Sequence, residues 1–346
     1  MAGKRDNERE DREMPAIIEI KDVTKEFKVL NRREGLKGSI KDLFSRDYKT
    51  VRAVDSISMS IEQGEIVGYL GPNGAGKSTT IKMMTGVLEP TEGQILVDGA
   101  APYKNRERNA QKIGVVFGQR SQLWWALPLI ESFRLLKDIY RISDEQYDGM
   151  MKLYGSLVDI EPLLHKPVRQ MSLGQRTLSD ILAAFLHDPK IVFLDEPTIG
   201  LDVSMKAKIR TLIHALNKEK NTTVILTTHD MGDVDALCRR IVIIDKGKML
   251  YDNDIEHLKG FFGSYRTLKI RIDGDMKEIA ESIQKELPDF SVSADDEWIS
   301  VLVDEEKAKV IDVLGRLQSS CKIKDMQLEE ISTEEVIKKI YEEGVS

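Results

Sequence analysis

Ile17, Ile18 and Ile20, followed by Val23, and then Ile57, Met59 and Ile61, set apolar side chains at strand spacing near the start of the chain. Glu65 to Leu70 is nearly all apolar and predicts a strand buried on both faces, opening into a glycine loop. Short apolar runs follow: VVF at 115–117, IVFLD at 191–195, TVILTTH at 223–229 and IVIID at 241–245. Segments of helix spacing separate them, and one places Leu178, Ile181, Leu182 and Phe185 just after MSLGQ. Strands alternating with helices predict an α/β fold with a mainly parallel sheet covered on both faces.

Beyond FFGSY at 261–265 the pattern changes. Leu268, Ile270 and Ile272 alternate as a strand, and Met276, Ile279, Ile283 and Leu287 recur at helix spacing up to Pro288. Allowing a strand at 290–293, the rest predicts strands at 298–303 and 323–328 around a helix carrying Val310, Leu314 and Leu317. Ser332 and Glu335 form a capping box for a last helix with Val336, Ile337 and Ile340. The predicted order β-α-β-β-α-β plus a helix is a small α+β unit over 263–346 of split-βαβ type. It carries no chemical motif, and a regulatory or dimerisation role is expected there, with plain packing mass as the alternative. The preceding unit is expected over 16–262. Within it, 28–50 is crowded with charge but holds GLKGSIKDLF, where Leu36, Ile40, Leu43 and Phe44 predict a short amphipathic helix in a surface insertion.

Composition narrows the class. The chain has 346 residues, 41% of them hydrophobic, which suits about two domains. No apolar run approaches the roughly 20 residues needed to span a bilayer. Residues 1–15 are nearly all polar or charged, lack the apolar segment of a secretory signal, and predict a disordered tail. Two distant cysteines argue for a reducing compartment and against disulfide or zinc frameworks, so the cytoplasm is expected. A net charge of −7 does not suit a whole-surface nucleic-acid binder.

The chemistry concentrates at strand ends. GPNGAGKS, Gly71 to Ser78, fits G-x-x-x-x-G-K-[ST], after a predicted strand and at the start of a helix. Glycines let backbone N–H groups approach phosphates, Lys77 supplies a mobile charge, and the Ser78 hydroxyl suits Mg²⁺. IVFLDEP delivers Asp195 and Glu196 to the C-terminal edge of the sheet, beside that loop. Asp195 suits the metal shell, and Glu196 is placed to polarise a water. An Asp-Glu-Pro turn alone is common on any surface; its neighbourhood gives it meaning. His229 ends another strand at the same edge, where sensing of the terminal phosphate is the expected role. Gln119 follows VVF and could meet both metal and water. Ser172 to Gln175 then form a second polar loop leading into a helix N-terminus, which suits an anion.

GPNGAGKST, FGQ, MSLGQR, IVFLDEPTIGLD and TTHD, in this order and at these intervals, resemble the ATP-binding subunit of an ABC transporter over about residues 16–260. The order and lengths are similar to ATPases of bacterial drug, antibiotic and complex-lipid exporters, whose permeases are separate chains. The resemblance implies a P-loop NTPase fold of ABC ATPase type, with an antiparallel β subdomain, a helical subdomain at about 120–187 and ATP with Mg²⁺ as cofactors. It implies that Gly71, Pro72, Asn73, Gly74, Ala75, Gly76, Lys77, Ser78 and Thr79 hold the phosphates. Ser78, Gln119 and Asp195 would serve the metal, and Glu196, His229 and Gln119 catalysis. Ser172, Gly174 and Gln175 would be the signature loop and Gly200 to Asp202 the dimer-facing loop. In that family the signature loop of one subunit closes over ATP held by its partner, so a homodimer, or a heterodimer with another ABC ATPase, is implied.

Two departures stand out. Leu173 occupies a position that is glycine in the usual L-S-G-G-Q signature. The other departure is the 28–50 insertion, which leaves ambiguous the aromatic that the resemblance expects to stack on adenine: Phe27 fits the local pattern VTKEF, and Tyr48, slightly favoured, fits the distance to Gly64-Glu65. The resemblance also implies membrane permease subunits as partners, with contact expected near Gln119 to Glu131, where Trp124 and Trp125 are adjacent. The competing reading packs one tryptophan inside and lays the other on the surface. The expected location is the cytoplasmic face of the membrane. A non-transport ABC ATPase acting on nucleic acid or ribosomes is the alternative, disfavoured by the lack of coiled-coil inserts or a second cassette.

Overall fold

The computed structural model describes residues 16–30, 48–118, 121–261, 263–272, 276–295 and 297–343. The tail at 1–15, the amphipathic segment GLKGSIKDLF and Gln119 lie outside the described residues.

The first unit is built on two sheets. In the smaller, β1 (Ala16–Leu30) pairs antiparallel with both β2 (Tyr48–Glu62) and β4 (Glu92–Val97). Part of the expected 28–50 insertion is therefore strand. Lys28, Val29 and Leu30 pair with Thr50, Lys49 and Tyr48, because the hairpin ladder continues past the apolar alternation that revealed it.

The larger sheet has the order β5-β6-β7-β3-β8-β9. β3 (Ile66–Leu70) lies in its middle, between β7 (Thr223–Thr227) and β8 (Arg240–Asp245). β5 (Ile113–Phe117) and β6 (Ile191–Asp195) complete the parallel set, and β9 (Lys248–Asp254) flanks β8. Every residue of β3 and β7 is buried, as expected for strands covered on both faces. Each large apolar side chain buried here, such as Phe193, contributes about 1.5–3 kcal/mol. The register is what matters for function. Phe117, Asp195 and Thr227 lie level across β5, β6 and β7, so three chains leave the sheet at one height.

Helices follow the strands. α1 (Lys77–Met84) and α2 (Arg106–Ala110) precede β5; α3 (Leu129–Tyr140), α4 (Asp144–Leu157), α5 (Glu161–Leu164) and α6 (Leu173–Phe185) lie between β5 and β6. α7 (Val203–Lys220) and α8 (Met231–Leu237) flank β7 in sequence. The run α3 to α6 fills the span in which the family resemblance predicts a helical subdomain.

The chain divides into compact units between Asp252 and Asn253, ten residues before the predicted position. The difference is α9 (Ile255–Phe261), which packs on the last helix of the second unit with Leu258 fully buried. In that unit β10 (Tyr265–Ile272), α10 (Met276–Glu286), β11 (Ser291–Ala294), β12 (Ile299–Asp304), α11 (Val310–Ser320), β13 (Ile323–Glu330) and α12 (Thr333–Glu343) follow the β-α-β-β-α-β-α order read from the sequence. The sheet is antiparallel with order β11-β12-β10-β13, and Leu268, Ile270, Ile299, Val301, Ile283 and Leu317 share one core. Ser332 and Glu335 form the expected capping box, with Glu335 N–H donating to Ser332 Oγ at 3.2 Å.

Candidate active site

β3 is too apolar to stop anywhere but at a residue that tolerates a sharp exit, and Gly71 begins the loop that ends at α1. Gly76 caps that helix at φ 110° with no side-chain cap. A Cβ at Gly76 would lie 2.5 Å from the Ala53 carbonyl oxygen, so only glycine fits. The first N–H groups of α1 thus open onto a cleft of about 230 Å³ lined by Pro72, Asn73, Gly74, Gly76, Lys77, Ser78 and Thr79, with Ala53 on β2 and Asp195 and Glu196 opposite. Ala75 is buried beneath the loop. Lys77 donates to the carbonyls of Gly71 and Pro72, the latter at 3.2 Å. Burial holds its ammonium below the ordinary lysine pKa, while Glu196 and Asp195 pull it back up.

Asp195 ends β6 and accepts a 2.5 Å hydrogen bond from Thr227 Oγ1 on the neighbouring strand. Glu196 follows with φ 52°, a left-handed backbone that costs a non-glycine residue on the order of 1–3 kcal/mol. Its N–H is anchored on the Thr227 carbonyl at 2.9 Å. Glu196 lines the cleft, and His229 Nε2 lies 2.7 Å from its Oε1. β7 ends at Thr227, so His229 stands two residues past the strand, on the turn before α8. The sequence placed Glu196 and His229 at one edge; their direct contact was not read from it.

Ser172, Gly174 and Gln175 sit at the N-terminus of α6. Ser172 is the N-cap of a closed capping box: Gln175 N–H donates to Ser172 Oγ at 3.3 Å, and Ser172 N–H donates to Gln175 Oε1 at 3.2 Å. Lys166 Nζ adds a 2.9 Å bond to the same Oε1. Gly174 is buried, and a Cβ there would meet the Met205 side chain at 2.6 Å. Leu173 is 43% exposed. Asp202 caps α7, accepting from Met205 N–H at 2.9 Å. None of Ser172, Gly174, Gln175 and Asp202 lines the phosphate-loop cleft of its own chain. Neither does either aromatic candidate. The register sets Phe27 opposite Val51, two positions from Ala53, whereas Tyr48 lies five positions out along β2.

Asp180 was missed. It is buried on α6, where Ser121 Oγ donates to its Oδ1 at 2.9 Å and Gln122 N–H donates at 3.1 Å. Burial pushes its carboxyl up to about 6 against these bonds. A lone acid within the apolar stripe of Leu178, Ile181 and Leu182 was the available signal.

Two cofactor sites can be tested against these residues. Successive loop N–H groups, an uncapped helix N-terminus and Lys77 fit a polyphosphate. Among the described residues no group of three or more His, Cys, Asp or Glu side chains could hold a metal alone. A cleft lined by the exposed Ser78 and by Asp195 instead fits a hard cation that keeps waters and phosphate oxygens in its shell.

Residues 54–199 match the ABC transporter domain family. The ABC transporter ATP-binding protein NatA of Bacillus subtilis (strain 168) is 34% identical over 62% of this chain and 87% of its own length. The bacitracin transport ATP-binding protein BcrA of Bacillus licheniformis is 34% identical over 61% of this chain and 68% of its own. Among solved structures, a dimeric post-hydrolysis state of the ATP-binding cassette MJ0796 bound to ADP and Pi is similar at TM-score 0.56 and 26% identity, over 68% of this chain and 98% of that one. No helix among the described residues is long and apolar enough to cross a membrane. Because it is 34% identical to ATP-binding proteins that it covers to two thirds or more of their length, the chain belongs to the ABC transporter ATP-binding proteins and is an ATP hydrolase.

Proposed function

We propose that two copies of this chain, or one copy and a related ATPase, close around two ATP molecules and drive a separate membrane permease in exporting a drug-like, lipid or glycan substrate. The observation that carries this reading is the pairing of His229 with Glu196, which lines a cleft together with Lys77, Ser78 and Asp195. A second polar helix start that lies outside the phosphate-loop cleft of its own chain supports the shared arrangement. The similarity to a bacitracin transport ATPase supports the substrate class.

The loop from Gly71 to Thr79 binds the phosphates through backbone N–H groups and Lys77. Ser78 and Asp195, with Gln119, two residues after β5 in sequence, would hold Mg²⁺, which would supply charge neutralisation at the phosphate oxygens. Glu196 accepts a proton from the attacking water, and His229 keeps that carboxylate aimed. Ser172, Gly174 and Gln175 reach the terminal phosphate of the partner's ATP, and Asp202 faces the partner. An aromatic on the β1–β2 arm, Phe27 or Tyr48, stacks on adenine; Phe27 is the nearer in register.

Trp124 and Trp125 are 37% and 53% exposed, and Arg176 stacks over the Trp125 ring at 4.6 Å. Aromatic anchors held by an arginine suit a groove on the permease, and the subunit then lies on the inner membrane face through that contact.

The test is Glu196→Gln. The variant should bind ATP, lose turnover by about 100-fold or more and accumulate as a closed dimer with ATP, read by size-exclusion chromatography with light scattering. Unchanged turnover would overturn the base assignment. Replacing Trp124 and Trp125 by alanine should leave ATP hydrolysis by the isolated subunit intact and abolish transport in reconstituted vesicles.

A further inference from the structure

Two loops carry the hydrolytic pair: 196–202 leaves β6 and begins at Glu196 of the cleft, and 228–230 leaves β7 and carries His229. A carboxylate unused in the chemistry above ties them together. Asp233, in the first turn of α8, has no exposed surface and does not line the cleft. Donors from three separate parts of the chain fill it. Thr198, two residues past Glu196, and Thr228, adjacent to His229, both donate hydroxyl hydrogens to Oδ2, Thr228 at 2.8 Å. Arg210 on α7 donates its Nε–H to Oδ1 at 2.7 Å.

A second layer repeats the connection. Asp230, next to His229, accepts from Lys206 at 2.5 Å and from Arg210 at 3.3 Å. Lys206 and Arg210 are four residues apart on one face of α7. Lys206 N–H, one turn earlier, bonds the carbonyl of Asp202 at 2.9 Å. The helix that starts on the 200–202 loop is therefore bolted to the turn that carries His229.

Stability alone does not call for this. Burying a carboxylate and a guanidinium costs desolvation that a well-packed apolar pair would avoid. What an apolar pair lacks is direction: only an acceptor can fix two hydroxyls from different loops at one oxygen. We infer that Asp233 is a positioning residue for the hydrolytic pair. It holds the loop of Glu196 against the loop of His229 and, through Arg210, ties both to the helix beginning at Asp202. A shift of the 200–202 loop is thus passed to His229 through α7. This inference rests on the roles proposed for Glu196 and His229.

A double-mutant cycle on the full chain tests it, reading kcat and ATP affinity separately. Asp233→Ala should lower kcat by about 100-fold, the effect of displacing a reacting group by about an ångström, with ATP affinity within about twofold because the phosphate loop is untouched. Adding Asp233→Ala to His229→Ala should slow turnover no further, because both changes act through one unit. Should Asp233→Ala not fold, Thr228→Val removes one hydroxyl at nearly constant volume. It should cost about 10-fold in kcat, and Thr228→Ser should restore it. Additive losses in the double mutant, or a Thr228→Ser variant as slow as Thr228→Val, would overturn the inference. Full turnover in His229→Ala alone would instead remove the proposed role of His229, and this inference with it.

Discussion

The two polar loops that start helices α1 and α6 look alike in sequence and differ in how their N-termini are satisfied. α1 begins at a glycine with no side-chain cap, so its first N–H groups are available for a ligand. α6 closes on itself: Ser172 and Gln175 exchange bonds, and Lys166 holds the glutamine in place. A free helix start binds an anion directly, whereas a capped one must first exchange bonds worth about 1 kcal/mol. In the proposed dimer this difference separates a permanent seat from a visitor. α1 suits phosphates held throughout the cycle, and α6 suits a contact made only when another subunit brings one.

The sharpest way to break this contrast is Lys77→Ala. It should weaken ATP binding by about 100-fold, the loss of a charge-assisted contact of 1.5–3 kcal/mol at a buried site, as read by titration with a fluorescent nucleotide. Ser172→Ala should instead leave nucleotide affinity of the isolated subunit within about twofold while lowering turnover by about 10-fold. Equal losses of affinity in the two variants would erase the distinction between seat and visitor.

A third test uses pH. The Asp180 carboxyl has its folded pKa raised from 3.8 to about 6, so the folded state binds this proton more tightly than the unfolded chain does. The stabilisation is present below the ordinary value and is lost as pH rises through about 6. Asp180→Asn keeps an acceptor for Ser121 and Gln122 and carries no charge. Relative to wild type it should gain stability on the order of 1–3 kcal/mol between pH 4 and pH 7, measured as the change in urea midpoint at each pH. A gap that does not vary with pH would contradict the assigned titration. The smallest effect belongs to Leu173→Gly. Removing a side chain that leans toward Gly200 should change kcat/KM within about fivefold, with a rise expected if that side chain slows closure.

Much of the architecture was legible because hydrophobic periodicity carried it. The nearly all-apolar β3, β6 and β7 read as buried parallel strands, and the second unit matches its predicted order element by element. That the glycine-rich loop after β3 and the Asp195-Glu196 pair meet at one cleft was legible for a different reason. Few sequences satisfy both the motif and its strand-to-helix context. What escaped was polar and buried. Asp180 and Asp233 lie on helices where an acid ordinarily reads as solvated, and nothing in local periodicity says that Ser121 or Thr198 will fold over it. The left-handed backbone at Glu196 escaped too, since no residue pattern marks it. The unit boundary was placed late because α9 follows β9 without a break in composition, and its partner α12 lies far along the chain.

The outermost strand of the second unit has a consequence for solubility. β13 borders its sheet, and its residues from Lys324 to Glu330 are exposed. A strand border with open backbone groups invites lateral recruitment of like chains into aggregates. Here a register slip near Ile323 bends the border, and Asp325, Glu329 and Glu330 crowd it with negative charge. Lys269 and Arg271 on β10 pair with Glu329 and Asp325. Fibre growth by strand addition is thereby disfavoured, which would matter most wherever many copies of this chain are concentrated on one surface.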